Sequence, residues 1–306
     1  MSTVTEPATG PHTASATAGL IARLREQENR PALVGYLPVG YPTVDRSIEA
    51  LKTLVDHGVD IIELGIPYTD PVLDGPVIQA AAQGALDAGV RVRDVFRVVR
   101  ELTDYAPHVP VLVMTYWNPV LKYGPDAFAR DLAAAGGAGL ITPDLIPDEG
   151  ADWIAASEAH GLDRVFLVAP SSTAERLRLT VHASRGFVYA TSLMGVTGER
   201  TQVGSRAERV VADTRAAGAT NVCVGLGISS GAQAADIGRF ADGVIVGSAL
   251  VHPLLSDGPL PDDEWAVRLT NLAEVTEDLA AGVRSARASA PADLPVGATD
   301  VPGEAP

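Results

Sequence analysis

One pattern restricts the fold more than any other: a short apolar run followed by a segment of helical periodicity, repeated eight times. The apolar runs lie at residues 33–36, 60–63, 111–115, 139–142, 165–168, 187–190, 222–224 and 243–246. Each is too short to be a helix and is mostly apolar, as expected of a strand covered on both faces. Between them, residues 44–57, 77–88, 126–135, 174–184 and 206–217 read as helices, with extra helix at 93–103 and one more at 20–27, before the first strand. Such repeats make the strands parallel, because each return to the sheet crosses over through a helix. An open, doubly wound sheet satisfies the same alternation. Eight units favour closure, so the expected fold is α/β: a (β/α)8 TIM barrel with an extra N-terminal helix.

The length of 306 residues suits such a barrel, which commonly needs roughly 250 residues as one domain. Residues 1–18 and 288–306 are rich in Ala, Pro, Thr and Gly and carry too little large apolar surface to offset the entropy of ordering. The expected map is a disordered tail at 1–18, a single barrel domain at 19–287 and a second disordered tail at 288–306. A formal net charge of −15 leaves no basic patch to replace phosphate counterions, which argues against a nucleic-acid partner. The mean hydropathy is +0.15 and no apolar run is long enough to span a bilayer, so no membrane partner is expected. The amino-terminal residues lack the charged and apolar regions of a signal peptide, and a cytoplasmic location is expected. Cys223 is the single cysteine, which excludes an internal disulfide, and its run Asn221-Val-Cys-Val-Gly reads as a packed core thiol. The six histidines, at 12, 57, 108, 160, 182 and 252, share no metal-ligand spacing, and no metal is expected.

Chemistry concentrates after the second strand, in Glu63-Leu-Gly-Ile-Pro-Tyr-Thr-Asp70-Pro-Val-Leu-Asp74-Gly-Pro. Glu63 is placed at the carboxyl end of a strand and Asp74 on the loop beyond it, stiffened by Pro67, Pro71 and Pro76. Two carboxylates facing one cavity can divide acid and base work between them. Glycines follow the last three strands: Gly195-Val-Thr197-Gly198, Gly225-Leu-Gly227-Ile and Gly247-Ser248-Ala. Such loops let backbone amides approach a phosphate closely, at the end of a barrel where active sites lie. Gly225-x-Gly227 also resembles part of a dinucleotide motif, but it comes late and no acidic-ended strand follows it.

The Glu63-to-Pro76 segment resembles the signature of the tryptophan synthase alpha chain, Glu-Leu-Gly-Ile-Pro-(aromatic)-Ser-Asp-Pro-x-x-Asp-Gly-Pro, with Thr69 in place of Ser. The likeness extends over about residues 32–283. It implies cleavage of indole-3-glycerol phosphate to indole and glyceraldehyde 3-phosphate, a lyase step in tryptophan biosynthesis, with Glu63 and Asp74 as catalytic residues. It assigns Tyr36, Met114, Ile141 and Tyr189 to the indole pocket, although position alone also fits barrel core. Gly227, Gly247 and Ser248 are expected to hold the phosphate. Thr197 and Gly198 belong to a lid at 193–204, in which Thr197 couples closure to Asp74. The implied partner is the beta chain, in an alpha-beta-beta-alpha heterotetramer contacted through Asp70, Pro71, Asn118 and Asp144. No cofactor is expected in this chain, since pyridoxal phosphate belongs to the beta chain. Leu226 and Ile146 depart from an aromatic and a proline usual in the family, which bears on the ring wall and on loop rigidity. Three alternatives stay open: a stand-alone indole-3-glycerol phosphate lyase, a chain that mainly activates its partner, and another sugar-phosphate barrel.

Overall fold

The apolar runs become parallel strands in the computed structural model, which describes residues 14–191, 200–225, 227–256, 258 and 260–287. The strands are β1 (Ala32–Pro38), β2 (Ile61–Gly65), β3 (Val111–Met114), β4 (Gly139–Ile141), β5 (Asp163–Val165), β6 (Leu167–Val168), β7 (Val188–Thr191), β8 (Val222–Gly225) and β9 (Gly243–Val246). Their order is β5-β4-β3-β2-β1-β9-β8-β7-β6, and each pairing is parallel. The two outermost strands, β5 and β6, are separated by Phe166 alone. Its carbonyl still accepts the Tyr189 N–H at 3.1 Å. The fifth expected strand is thus one interrupted strand joining both edges of the sheet, and the sheet closes as a TIM barrel.

The helices are α1 (Ala16–Gln27), α2 (Val44–Asp56), α3 (Pro76–Asp87), α4 (Val92–Tyr105), α5 (Trp117–Tyr123), α6 (Pro125–Ala134), α7 (Ala151–Ala159), α8 (Ala174–Ala183), α9 (Arg200–Ala216), α10 (Gly231–Gly238), α11 (Ser248–Val251) and α12 (Asp262–Ser285). Their starts follow from local chemistry. Thr43 and Thr173 cap α2 and α8 by accepting the amides of Arg46 and Arg176, while Pro76 and Pro125 open α3 and α6.

Period-two alternation divides the apolar residues into two cores. Ile62 and Leu64 of β2 point outward to the helices, whereas Ile61 joins Val34, Leu112, Ile141, Val165 and Ile245 inside the barrel. Leu20, Ile21 and Leu24 of α1 seal this inner core from the amino-terminal end of the strands. The seal begins earlier than expected from sequence. Ser15 caps α1 through the Ala18 amide at 2.9 Å, and its hydroxyl donates to Asp163 Oδ2 at 2.8 Å. Residues 14–18, assigned to the tail on composition, are therefore anchored by a long-range bond that composition does not reveal. Helix α9 also starts early, at Arg200, so the carboxyl end of the expected lid is helical.

Helix α12 packs on α2 and α10. An added Cβ at Gly282 would lie 2.1 Å from the carbonyl oxygen of Gly231, so the two helices meet backbone to backbone. Gly282→Ala should force them apart and destabilise the protein by about 1–3 kcal/mol, although alanine favours an isolated helix. Urea unfolding measures this; a gain in stability would show that α12 is not seated so closely.

Candidate active site

Glu63 is not at a strand tip. β2 continues to Gly65, which makes Glu63 its central residue, and alternation with Ile61 turns the side chain into the barrel. It is 1% exposed, and its Oε2 has no hydrogen-bond partner among the described residues. Burial pushes this carboxyl up to about 8, and the nearby charge of Asp74 adds to the effect.

Two tyrosines flank this position. Tyr36 is the register partner of Glu63 on β1. Tyr189 lies on β7. Burial, then the charges of Asp74 and Glu63, raises the Tyr36 phenol; burial and Glu63 do the same at Tyr189. Both rings stay neutral hydrogen-bonding groups. Each phenol needs a glycine beside it: an added Cβ would fall 2.2 Å from the Tyr36 hydroxyl at Gly65, and 2.4 Å from the Tyr189 hydroxyl at Gly225. Met114 and Ile141, at the ends of β3 and β4, pack against the same inner core.

Asp74 is half-buried on the loop between β2 and α3. The loop turns through bonds from Val72 N to Asp70 O at 3.0 Å and from Asp74 N to Pro71 O at 3.1 Å. Burial raises the Asp74 carboxyl to about 6, against the opposing pull of a hydrogen bond from Tyr116. The Tyr116 hydroxyl also accepts the Leu73 amide at 2.8 Å, so one phenol fixes two consecutive residues of the loop. Tyr116 is not among the site residues selected from the sequence; an aromatic two residues beyond Met114 is the signal that marks it.

Beyond β8, Gly227 has a φ of +64°, a conformation glycine adopts without strain, and open space beside its Cα. Gly247 precedes α11, which Ser248 begins, and an added Cβ there would meet Ile78 and Tyr36 at 3.4–3.7 Å. The glycine after β9 is thus a direct neighbour of the Tyr36 ring. The amides of Ser229 and Gly231 are already bonded to Gln233 Oε1 and Asp278 Oδ2, at 2.8 and 2.6 Å. Those two amides are therefore engaged within the protein. Thr197, Gly198 and Leu226 lie outside the described residues.

Asp70 and Asp144 are exposed on the loops beyond β2 and β4, Asn118 is exposed in the first turn of α5, and Pro71 is half-buried beside Asp70. Asp70 accepts the Thr69 hydroxyl at 2.6 Å, and Asp144 accepts the Trp117 amide at 2.8 Å. The Ile146 loop is held without the usual proline by the bond from Glu149 N to Ile146 O at 3.1 Å and by the Arg176–Asp148 pair.

Tyr116→Phe removes the bond that holds the Asp74 carboxyl down. The Asp74 titration midpoint should rise above about 6, read by carbon-13 NMR of labelled aspartate. An unmoved midpoint would separate Tyr116 from Asp74.

The family model of the tryptophan synthase alpha chain matches residues 22–283. The alpha chain of Mycobacterium ulcerans is 60% identical over 257 residues, covering 84% of this chain and 91% of that one. The alpha chain of Bifidobacterium longum is 55% identical over 260 residues, covering 85% and 89%. A crystal structure of tryptophan synthase from M. tuberculosis in an open form superposes with a TM-score of 0.79 at 53% identity, over 89% of this chain and all of that one. The alpha subunit of Legionella pneumophila keeps a TM-score of 0.78 at 28% identity, over 89% of this chain and 99% of that one. On the match across the barrel and the close relatives that span it, the chain belongs to the tryptophan synthase alpha chain family.

Proposed function

We propose that this alpha chain cleaves indole-3-glycerol phosphate to indole and glyceraldehyde 3-phosphate, with Glu63 as the proton-transfer residue. The observation that carries this reading is a pair of carboxyls with separated titrations: Glu63 near 8 inside the barrel and Asp74 near 6 at its rim. At neutral pH the first is an acid and the second a carboxylate. Glu63 gives its proton to C3 of the indole ring, and the charge that develops is stabilised by Asp74 accepting the ring N–H. The side-chain hydroxyl then loses its proton to Glu63 and becomes the aldehyde, while the carbon–carbon bond pair returns to the ring. Indole leaves with the new C3 proton, and Glu63 ends protonated as it began. Gly227, Gly247 and Ser248 bind the phosphate through backbone amides and the serine hydroxyl. Thr197 and Gly198 are assigned to a closing lid on resemblance alone.

The partner in this reading is the beta chain, in an alpha-beta-beta-alpha assembly, with pyridoxal phosphate held there rather than in this chain. Support comes from the surface around Asp70, Pro71, Asn118 and Asp144, where Val72 and Ile146 are exposed large apolar residues. No helix among the described residues is long and apolar enough to cross a membrane, and we place the protein in the cytoplasm. A chain serving only to activate its partner would have no use for a buried carboxyl with an unpartnered oxygen.

Glu63→Gln keeps the shape and removes the proton. Indole release measured with the beta chain should fall by about 10² or more while substrate affinity changes little. In the wild type the rate should fall below about pH 6, where Asp74 gains a proton, and above about pH 8, where Glu63 loses one. Near-normal turnover in the variant would remove Glu63 from the chemistry.

A further inference from the structure

We propose that Tyr68 is a positioning residue that couples Asn118, on the surface assigned above to the partner, to the carboxylate of Asp74. This deepens the function proposed above and rests on it. Asn118 opens to solvent on α5, and its Nδ2 donates to the Tyr68 hydroxyl at 3.3 Å. The Tyr68 ring stacks on Tyr116, with centroids 5.3 Å apart and planes inclined by 29°. The Tyr116 hydroxyl in turn holds the Leu73 amide and bonds Asp74. Two rings therefore join a surface amide on α5 to a catalytic carboxylate on the loop after β2.

The parts differ in freedom. Tyr116 is 5% exposed, and the residue after it is pinned by the bond from Trp117 N to Asp144. Tyr68 is only half-buried, lies between Pro67 and the exposed pair Thr69–Asp70, and leans on Tyr116 with one face. A group on the partner that accepts the Asn118 amide competes with the Tyr68 hydroxyl for it. The stacked ring then settles differently on Tyr116, and the phenol bond to Asp74 follows. The signature motif asks only for an aromatic ring at this position; the hydroxyl adds the connection to Asn118. A stack and one polar contact suffice for a modest coupling, of the size found between neighbouring residues in one network.

The test compares indole release from saturating indole-3-glycerol phosphate with and without a saturating beta chain. Wild type, Tyr68→Phe, Asn118→Ala and the double variant are all measured. Tyr68→Phe should lower the ratio of partnered to unpartnered rate by about threefold or more. Asn118→Ala should lower it similarly, and the double variant should fall no further than either single one. A merely structural role would reduce both rates by one factor and leave the ratio at the wild-type value. An unchanged ratio in Tyr68→Phe, or losses that multiply in the double variant, would overturn the coupling. Failure of the wild-type chain to release indole with the beta chain would instead overturn the reading of the site, and the coupling with it.

Discussion

The chemistry of this barrel depends on one unfavourable burial. Glu63 occupies a position that alternation along β2 would fill with an aliphatic residue, and its Oε2 meets no hydrogen-bond donor among the described residues. Water would otherwise solvate the charged form, so the protein keeps the proton on the carboxyl instead. The folded-state value is raised from 4.5 to about 8. Stability from this group is therefore full below the unfolded value and is lost as the pH rises through the folded one. At pH 7 the loss is on the order of 3 kcal/mol. A proton held at such cost is available for transfer, and the remaining structure can be understood as what makes the position tolerable and useful.

Closure of the sheet through Phe166 removes free edges, and α1 fills the opening below with Leu20, Ile21 and Leu24. The anchor of that helix is Ser15 on Asp163, far from the chemistry. Beside the carboxyl, Gly65 and Gly225 leave room for the phenols of Tyr36 and Tyr189, which remain neutral. Asp74 sits higher and wetter, under the restraint of Tyr116, and ionises first. Burial separates the two carboxyls: the pleat of β2 turns Glu63 inward, and the loop beyond the strand carries Asp74.

The strand-and-helix alternation made the barrel legible, because a period of two against a period of 3.6 is a local signal. The motif carried Glu63 and Asp74 for the same reason. What escaped were facts that depend on distant residues. Residues 14–18 look like tail until Asp163, nearly 150 positions away, is seen to hold Ser15. The extension of β2 beyond Glu63 reflects pairing of Leu64 and Gly65 with β1 and β3 rather than any property of the segment itself. Tyr116 matters only because the Leu73 amide and the Asp74 carboxyl fold back against its hydroxyl. The roles of Gly247 and Ile78 beside Tyr36 likewise required three separate elements to meet.

The protonation state of Glu63 at neutral pH can be observed directly. Infrared difference spectra between the wild type and Glu63→Gln isolate the single carboxyl, and a pH series follows its conversion to carboxylate. A protonated carboxyl band present at pH 7 and lost around pH 8 is the expected result. Carboxylate bands alone at pH 7, with conversion near the ordinary value of 4.5, would contradict the assignment of Glu63 as the group that protonates the indole ring.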